Sequence, residues 1–274
     1  MRATVRSDQP DVDGDLVRGG EFVQSLERGL SVIRAFGAER PALTLSEVAR
    51  VTGLSRAAAR RFLHTLVELG YMGTDGRQFH LRPRVLELGY AYLSSLGLSE
   101  VAQPHLEALS LEVGESSSVA VLDQADIVYV ARFATHRIMT TTIRVGTRFP
   151  AHVTSLGRAM LAFMDAAEAD AILADVEWTP LTPHTITDPD ELRAELATVR
   201  AQGWAFVDQE LEEGLRSLAM PLRDGSGEVV AAVNVSVPVR RGPIDEVVGQ
   251  LLPALKRAAR EIEADLARIG GFPR

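Results

Sequence analysis

The stretch TLSEVARVTGLSRAAARRFLHTLVELGYMGTDGRQFHL, residues 44–81, decides the fold of the N-terminal part of this chain. Two segments with helical spacing are separated at Gly53, and glycine readily adopts the left-handed backbone of a tight turn. Ala49 provides the small side chain that two crossing helices need where they meet. Ser55 is a good N-cap for the second segment. Together these features predict a helix-turn-helix.

An apolar face and a hairpin signal extend this prediction. Apolar residues recur every three or four positions through both helices, as expected for a buried helix face. They are Leu45, Val48, Leu54, Ala59, Phe62, Leu66 and Leu69. After the second helix, Asp75 and Gly76 separate two β-rich runs, which is a strong signal for a two-residue hairpin turn. We therefore expect a two-stranded wing after the helix-turn-helix.

The other face of the second helix is polar and basic. Two adjacent arginines follow a third by one turn, and guanidinium groups bond bidentately to guanine edges while also neutralising phosphates. In the context of a turn and a wing, this pattern favours a DNA-recognition helix over an ordinary solvated helix face. The predicted DNA contacts are Ser55, Arg56, Ala57, Arg60, Arg61, His64 and, in the wing, Arg77.

Charge is distributed unevenly along the chain. Residues 21–98 hold ten Arg against seven Asp or Glu, whereas residues 99–274 hold sixteen basic and twenty-six acidic residues. A protein with a formal net charge of −8 is a poor nonspecific DNA binder, but a locally basic module still neutralises several phosphates. The charge pattern therefore predicts that double-stranded DNA binds to the N-terminal part.

The length of 274 residues exceeds one winged module, so a second domain of roughly 170 residues is predicted. We expect a disordered tail at 1–20, a winged helix-turn-helix domain at 21–82, a linker helix at 83–98 and a second domain at 99–270. The linker helix is expected to help dimerisation, with an ordinary core helix as the alternative. An apolar stripe should pack the first helix under the helix-turn-helix: Phe22, Leu26, Leu30, Ile33 and Phe36.

The pattern of the second domain predicts a mixed α/β structure, so the whole chain is of the α+β class. Helices are expected at 99–114, 155–164, 168–176, 188–201 and 244–269. Strands are expected at 117–122, 127–133, 138–145, 204–207, 217–222 and 229–237. Because the strands are grouped on either side of helices, we expect one antiparallel sheet covered by helices rather than repeated parallel units.

Several classes of protein are disfavoured. The absence of Cys excludes thiolate zinc sites and disulfides. The first twenty residues have no apolar core, and no apolar run approaches the ~20 residues of a membrane-spanning helix. We therefore predict a cytoplasmic protein without a membrane partner. Nucleotide-binding and zinc-protease motifs are missing, and the histidines lack metal-ligand spacing, so neither a cofactor nor a metal is expected.

An enzymatic alternative rests on residues 153–157, VTSLG, which resemble half of a nucleophile elbow but have Val where the first glycine belongs. His152 lies three residues from Ser155, a separation that rarely gives productive geometry, and no third partner is evident. We therefore predict that the protein is not an enzyme. The alternative is a small-molecule hydrolase with an accessory winged module.

The same stretch predicts a helix start, whose backbone amides and positive dipole end bind carboxylates without catalysis. A plain N-cap is the alternative. A counter-charge is available from one of four arginines on the preceding predicted strands or at their ends, namely Arg132, Arg137, Arg144 and Arg148. The alternation of the strands does not choose among them, and Arg137 is included in the predicted site.

Four segments, taken in order, resemble the IclR family of transcriptional regulators over nearly the whole chain. They are FVQSLERGLSVIRAF, GLSRAAARRFLHTLVELGY, RVGTRFPAHVTSLGRAMLA, and DQELEEGLRSLAMPL with AAVNVSVP. The segments DQELEEGLRS and RIMTTTIRVGTRFPAH are most similar to the subgroup that controls aromatic-acid catabolism through the beta-ketoadipate pathway. A regulator of another carboxylic-acid pathway is the alternative within the family.

This resemblance implies a GAF- or profilin-like effector-binding domain after the linker helix, and assembly as a homodimer or a dimer of dimers. It implies a ligand-responsive regulator whose effector is a small carboxylic acid, aromatic (protocatechuate or 4-hydroxybenzoate) or dicarboxylic. A family acidic contact for very small keto acids falls on Val207, which argues for a larger and flatter effector. The effector contacts it implies, with Arg137 added, are Ser155, Leu156, Arg137, Ser217, Asn234 and Ser236.

Overall fold

The computed structural model describes residues 22–135, 143–174 and 176–268. The predicted tail, Arg137 and most of the predicted strand 138–145 lie outside these residues. The chain divides into two compact units, with the boundary between Gly89 and Tyr90. No helix in the described ranges is long and apolar enough to cross a membrane.

The N-terminal unit is a three-helix module with a small sheet. Its helices are α1 (Gln24–Arg34), α2 (Leu45–Thr52) and α3 (Arg56–Glu68), and its strands are β1 (Ala42–Thr44), β2 (Met72–Thr74) and β3 (Gln78–Leu81). The strands are antiparallel in the order β1-β3-β2. The prediction of a two-stranded wing was therefore incomplete, because β1 adds a third strand through the pairing of Leu43 with Phe79. A three-residue strand is too short for its alternation to be visible in the sequence.

The turn between α2 and α3 forms as predicted. Gly53 ends α2 with φ at 68°, in the left-handed region, and the Ser55 hydroxyl accepts a hydrogen bond from the Ala58 amide at 3.2 Å. Thr44 and Glu47 form a capping box that begins α2. These caps position α3 as the exposed second helix of the motif.

The core of this unit differs in part from the predicted apolar faces. Leu63 is fully buried although it was not in the predicted set, whereas Leu69 is 52% exposed. In α1, Phe22, Leu26 and Leu30 are exposed, so the prediction that this stripe packs under the motif was wrong for these three. The helix instead approaches α3 at Gly29. Val32 of α1 is buried, and so are Ala35 and Phe36, which follow the helix.

A helical connection follows the wing. A 3-10 turn at Pro83–Val85 leads into α4 (Leu86–Leu96), and Gly97, with φ at 61°, separates α4 from α5 (Leu98–Val113). The boundary between the two compact units falls within α4 rather than at either of its ends.

The second unit contains one six-stranded antiparallel sheet, as predicted. Its strands lie in the order β6-β5-β4-β9-β8-β7. They are β4 (Ser116–Asp123), β5 (Asp126–Phe133), β6 (Arg148–Pro150), β7 (Ala205–Asp208), β8 (Leu215–Arg223) and β9 (Val229–Pro238). Residues 143–145 are not a strand, so that end of the predicted strand 138–145 was wrong. The edge strand β6, which pairs with β5, was not predicted.

Helices cover both faces of this sheet. On one face, α5 and α9 (Ile244–Arg268) pack on residues such as Val119 and Val233. On the other face, the alternate residues Ala120 and Ala232 contact a cluster that includes three shorter helices. These are α6 (Ser155–Leu161), α7 (Ala166–Ala174) and α8 (Pro189–Gln202). Since successive strand residues point to opposite faces, each strand contributes to both cores.

Candidate DNA-contacting surface and ligand cavity

The predicted DNA contacts are on the surface of the N-terminal unit. Ser55, Arg56, Ala57, Arg60, Arg61 and His64 are exposed on α3 or at its start. Arg77 is exposed in the turn between β2 and β3. There the Asp75 carboxylate accepts hydrogen bonds from the backbone amides of Arg77 and Gln78, at 2.8 and 2.7 Å, and these bonds lower the pKa of Asp75. The wing tip is thus held in one conformation with its arginine outward.

Arg61 lies beside a basic residue that sequence reasoning missed. A groove between α1 and α3 with an empty volume of about 710 Å³ is lined by Arg28 and Arg61, together with Gln24, Ser25 and Thr65. Arg28 belongs to a helix that carries no motif, so only the packing of α1 against α3 brings the two guanidinium groups to one groove.

Another arginine near the wing is engaged within the unit itself. The Arg84 guanidinium donates to the carbonyl oxygen of Leu69 at 2.9 Å and lies over the Tyr71 ring at 5.4 Å. These contacts tie the start of the helical connection to the end of α3. Arg84 therefore has a structural explanation, and no contact of this kind involves Arg56 or Arg60 among the described residues.

The second unit contains a small, partly open cavity between the sheet and the start of α6. Five of the six predicted effector contacts line it, while Arg137 lies outside the described residues. The lining residues are Tyr129, Ile143, Val153, Thr154, Ser155, Leu156, Val207, Leu211, Leu215, Ser217, Asn234 and Ser236. Lining residues up to 107 positions apart, from Tyr129 to Ser236, are thus brought to one site.

A hydrogen-bond network runs along one wall of the cavity. The Ser155 hydroxyl donates to the Ser217 hydroxyl at 2.7 Å, and the Asn234 amide nitrogen donates to Ser217 at 2.8 Å and to Ser236 at 3.2 Å. The amide oxygen of Asn234 is buried and has no hydrogen-bond partner. This wall therefore keeps an acceptor available.

α6 starts at Ser155, as predicted, and ends at Leu161, three residues earlier than expected. Thr154 is the N-cap, and its hydroxyl accepts a hydrogen bond from the Gly157 amide at 3.0 Å. Ser155 bonds to Ser217, and Nδ1 of His152 is buried without a hydrogen-bond partner. The described contacts therefore contain no Ser–His pair of the kind that the hydrolase alternative needs.

Close packing fixes this turn. A Cβ on Gly157 would lie 2.1 Å from the carbonyl oxygen of Ala151, so only glycine fits there. Below it, the buried Arg158 guanidinium bonds to the Glu210 carboxylate at 2.6 Å and to the carbonyl oxygen of His152 at 2.8 Å. Glu210 also accepts a hydrogen bond from the Ile186 amide at 3.0 Å. A buried ion pair with these extra bonds holds the cavity rim rigidly.

The arginines considered for a counter-charge differ in position. Arg144 is exposed, and Arg148 forms exposed ion pairs with Asp123 and Asp126. Arg132 is half-buried on β5 and donates to the Ser118 hydroxyl at 2.9 Å. Burial lowers its pKa, and burial raises the pKa of the cavity residue Tyr129 to about 12. Among the described residues, no group of three or more potential metal ligands is present.

The chain contains a winged helix-turn-helix, a helical connection and a helix-covered sheet with a cavity. This combination defines a transcriptional regulator with a ligand-binding domain. Residues 25–76 match the IclR helix-turn-helix domain, and residues 90–264 match the bacterial transcriptional regulator IclR C-terminal family. The chain belongs to the IclR family of bacterial transcriptional regulators, as its resemblance predicted. The α+β fold class is likewise confirmed.

Similar proteins include regulators of aromatic catabolism. The Pca regulon regulatory protein of Pseudomonas putida is 46% identical over 243 residues, covering 88% of this chain and 84% of that protein. The p-hydroxybenzoate hydroxylase transcriptional activator of Acinetobacter baylyi is 35% identical, covering 90% of this chain and 93% of that protein. The structure of an IclR homologue from Microbacterium hydrocarbonoxydans complexed with 4-hydroxybenzoate is 29% identical, with a TM-score of 0.79, covering 89% and 99%.

Proposed function

We propose that this regulator controls genes of aromatic-acid catabolism and that its effector is a small aromatic carboxylic acid, such as 4-hydroxybenzoate or protocatechuate. The observation that carries the proposal is the cavity between the sheet and the start of α6, which has apolar walls and a polar hydrogen-bond network at one side. The names of the relatives and the ligand of the Microbacterium homologue support this choice of effector.

The lining of the cavity suits a flat ring. Val207, Leu211 and Leu215 supply apolar contacts, while Ser155 and Asn234 supply polar groups. Ligand sites commonly combine such walls with a few polar groups that set orientation. Val207 occupies the position at which a very small keto acid would need an acidic contact, so a larger effector is favoured.

We propose that α3 enters the major groove and that Arg56, Arg60 and Arg61 contact bases or phosphates. The small side chain of Ala57 permits close approach, and His64 extends the same face. Arg77 would contact the backbone from the wing, and Arg28 would join Arg61 at the groove between α1 and α3. These roles follow from exposure and positive charge.

A dimer or a dimer of dimers is proposed as the active form. Support comes from leucines exposed in the N-terminal unit, at Leu26, Leu30, Leu86 and Leu88. Exposed apolar side chains in such numbers are typical of an interaction surface. The effector would act by binding two arrangements of the subunits with different affinity.

Fluorescence anisotropy of the protein on its own upstream DNA, at ~150 mM salt because phosphate contacts are salt-sensitive, tests the proposal. We expect selective binding that protocatechuate, 4-hydroxybenzoate, muconate or beta-ketoadipate alters. Arg60→Ala and Arg61→Ala should weaken binding and leave thermal stability nearly unchanged, with the exposed Arg193→Ala as the matched control. Selective binding that no acid changes would reject the aromatic effector, and the absence of selective binding would reject the regulator assignment to this DNA.

A further inference from the structure

A row of three polar residues crosses the sheet on the face that carries the cavity. Arg132 of β5 lies directly opposite Ser118 of β4, and Ser118 lies directly opposite Asn234 of β9. The neighbours of Asn234 in sequence, Val233 and Val235, belong to the core on the other face. Arg132 and Asn234 are therefore the two ends of one row, two strand spacings or about 10 Å apart.

Each end of the row has one buried polar atom without a hydrogen-bond partner. Arg132 donates from Nη1 to Ser118, but its Nε is buried and unpaired. Asn234 donates through its amide nitrogen to two serines, but its amide oxygen is buried and unpaired. One end thus offers a charged donor and the other an acceptor. Buried groups of this kind are rare in proteins, and a ligand is one reason for them.

Among the described residues, no carboxylate pairs with the charge at Arg132. No Asp or Glu is present among the described residues that line the cavity. Burial dominates the lowered pKa of Arg132, with no carboxylate among its causes, and the neighbouring Tyr129 stays neutral because burial raises its pKa to about 12. A half-buried guanidinium with this environment is suited to an anion supplied from outside the protein.

Resting on the proposed function, we propose that Arg132 binds the effector carboxylate and that the Asn234 amide oxygen accepts a hydrogen bond from a hydroxyl at the far end of the ring. Arg132 lies beyond the residues that line the cavity, on the same face of the sheet. A ring with a carboxylate and a hydroxyl at opposite ends carries the right group for each end of the row. The effector class is therefore the hydroxy-substituted aromatic acids, and both an unsubstituted acid and a neutral phenol are poor ligands.

Isothermal titration calorimetry on the full chain tests this assignment with four ligands: 4-hydroxybenzoate, benzoate, 4-methoxybenzoate and 4-hydroxybenzamide. We expect wild-type protein to prefer 4-hydroxybenzoate over each of the other three by about tenfold to a hundredfold. Benzoate and 4-methoxybenzoate leave the Asn234 amide oxygen unpaired, and 4-hydroxybenzamide brings no negative charge to Arg132. The methoxy compound keeps an oxygen but cannot donate, so it isolates the acceptor role of Asn234.

Variants separate the two ends of the row. Arg132→Gln should abolish the preference for the acid over the amide, and Asn234→Leu should abolish the preference for hydroxybenzoate over benzoate. The exposed Arg144→Gln is the matched control and should keep both preferences. Thermal unfolding without ligand checks that each variant is folded. If a variant does not fold, the preferences of the wild-type protein among the four ligands still test the inference.

The outcomes distinguish this inference from the proposed function. Wild-type binding of none of the four ligands would overturn this inference, while the anisotropy assay with protocatechuate, muconate and beta-ketoadipate decides the proposed function separately. Tight binding of 4-hydroxybenzoate that Arg132→Gln leaves unchanged would keep the aromatic effector and overturn the role of Arg132. Equal affinity for the hydroxy and methoxy compounds would overturn the role of Asn234.

Discussion

The turn from residues 151 to 158 shows how single residues determine the cavity rim. Gly157 allows the helix start to approach the carbonyl oxygen of Ala151, and the ion pair of Arg158 with Glu210 lies beneath it. His152, between them in sequence, is buried against Trp178 with ring centroids 5.2 Å apart. Each of these residues has a local physical role that can be tested separately.

Gly157→Ala should destabilise the protein by about 1–3 kcal/mol or more, because the new methyl group collides with backbone that cannot move freely. Denaturant unfolding measures this loss. The matched control is Gly249→Ala in α9, where a Cβ would meet no atom within 4 Å. That change should stabilise by about 0.5–1 kcal/mol through helix propensity. Equal effects of the two substitutions would contradict the close approach at Gly157.

Stability should depend on pH through His152. Burial, and then the Arg158 charge, hold the pKa of His152 below the ordinary value of 6.5. The stability that neutral His152 contributes is fully present above pH 6.5. It is lost as pH falls toward the folded-state pKa, because His152 takes up a proton in the unfolded chain first. Unfolding free energies measured from pH 8 to 5 should therefore fall less steeply in His152→Gln and His152→Phe. A slope identical to that of wild type in both variants would exclude this role.

At the scale of elements, caps decide where α2 and α3 begin. The Thr44 amide donates to the Glu47 carboxylate at 2.7 Å, and Thr44 also belongs to β1. One residue thus ends the strand that pairs with β3 and starts the first helix of the motif. The position of α3 follows from this junction and from the left-handed turn at Gly53.

Thr44→Ala should cost about 1 kcal/mol of stability, since it removes an N-cap. The hydrogen bonds from Thr44 lower the pKa of Glu47, so the stability that they provide exists above the ordinary value of 4.5 and disappears as pH falls through the folded-state pKa. Glu47→Gln should therefore reduce the loss of stability between pH 6 and 3, measured by urea unfolding. Glu39→Gln, outside the capping box, is the control, and an equal reduction there would count against the box.

At the scale of the whole molecule, the two units carry opposite charge and different chemistry. The basic N-terminal unit holds the exposed arginines, and the acidic second unit holds the cavity. If the proposed effector binds there, its direct contacts stabilise the second unit only.

Saturation with 4-hydroxybenzoate at a hundred times its Kd should stabilise the second unit by about 2.7 kcal/mol, through binding to the folded state alone. Amide hydrogen exchange measures where this occurs. We expect the greatest added protection at residues 151–158 and 215–236, which line the cavity, and little along residues 44–68 in the absence of DNA. Protection confined to the N-terminal unit would contradict a ligand site in the second unit.

Most elements of this fold were predictable, because their signals are local. The helices α5, α8 and α9 began within a residue or two of their predicted starts, and the antiparallel sheet followed from the grouping of the strands. The short strands β1 and β6 were not predicted, since three residues show no alternation. In α1, periodicity identified an apolar stripe but could not tell which of its residues face the unit's own core.

The sequence by itself determined the class of this protein: a turn glycine, capping residues, a basic helix face and ordered family segments are read along the chain without knowledge of its packing. The tertiary structure alone decided which polar side chains share one face of the sheet. Strand register and the alternation of strand faces place Arg132 in line with Ser118 and Asn234, whereas Arg144 and Arg148 remain at the surface. The pairing of Ser118 with Asn234 joins residues 116 positions apart, and no local pattern specifies it.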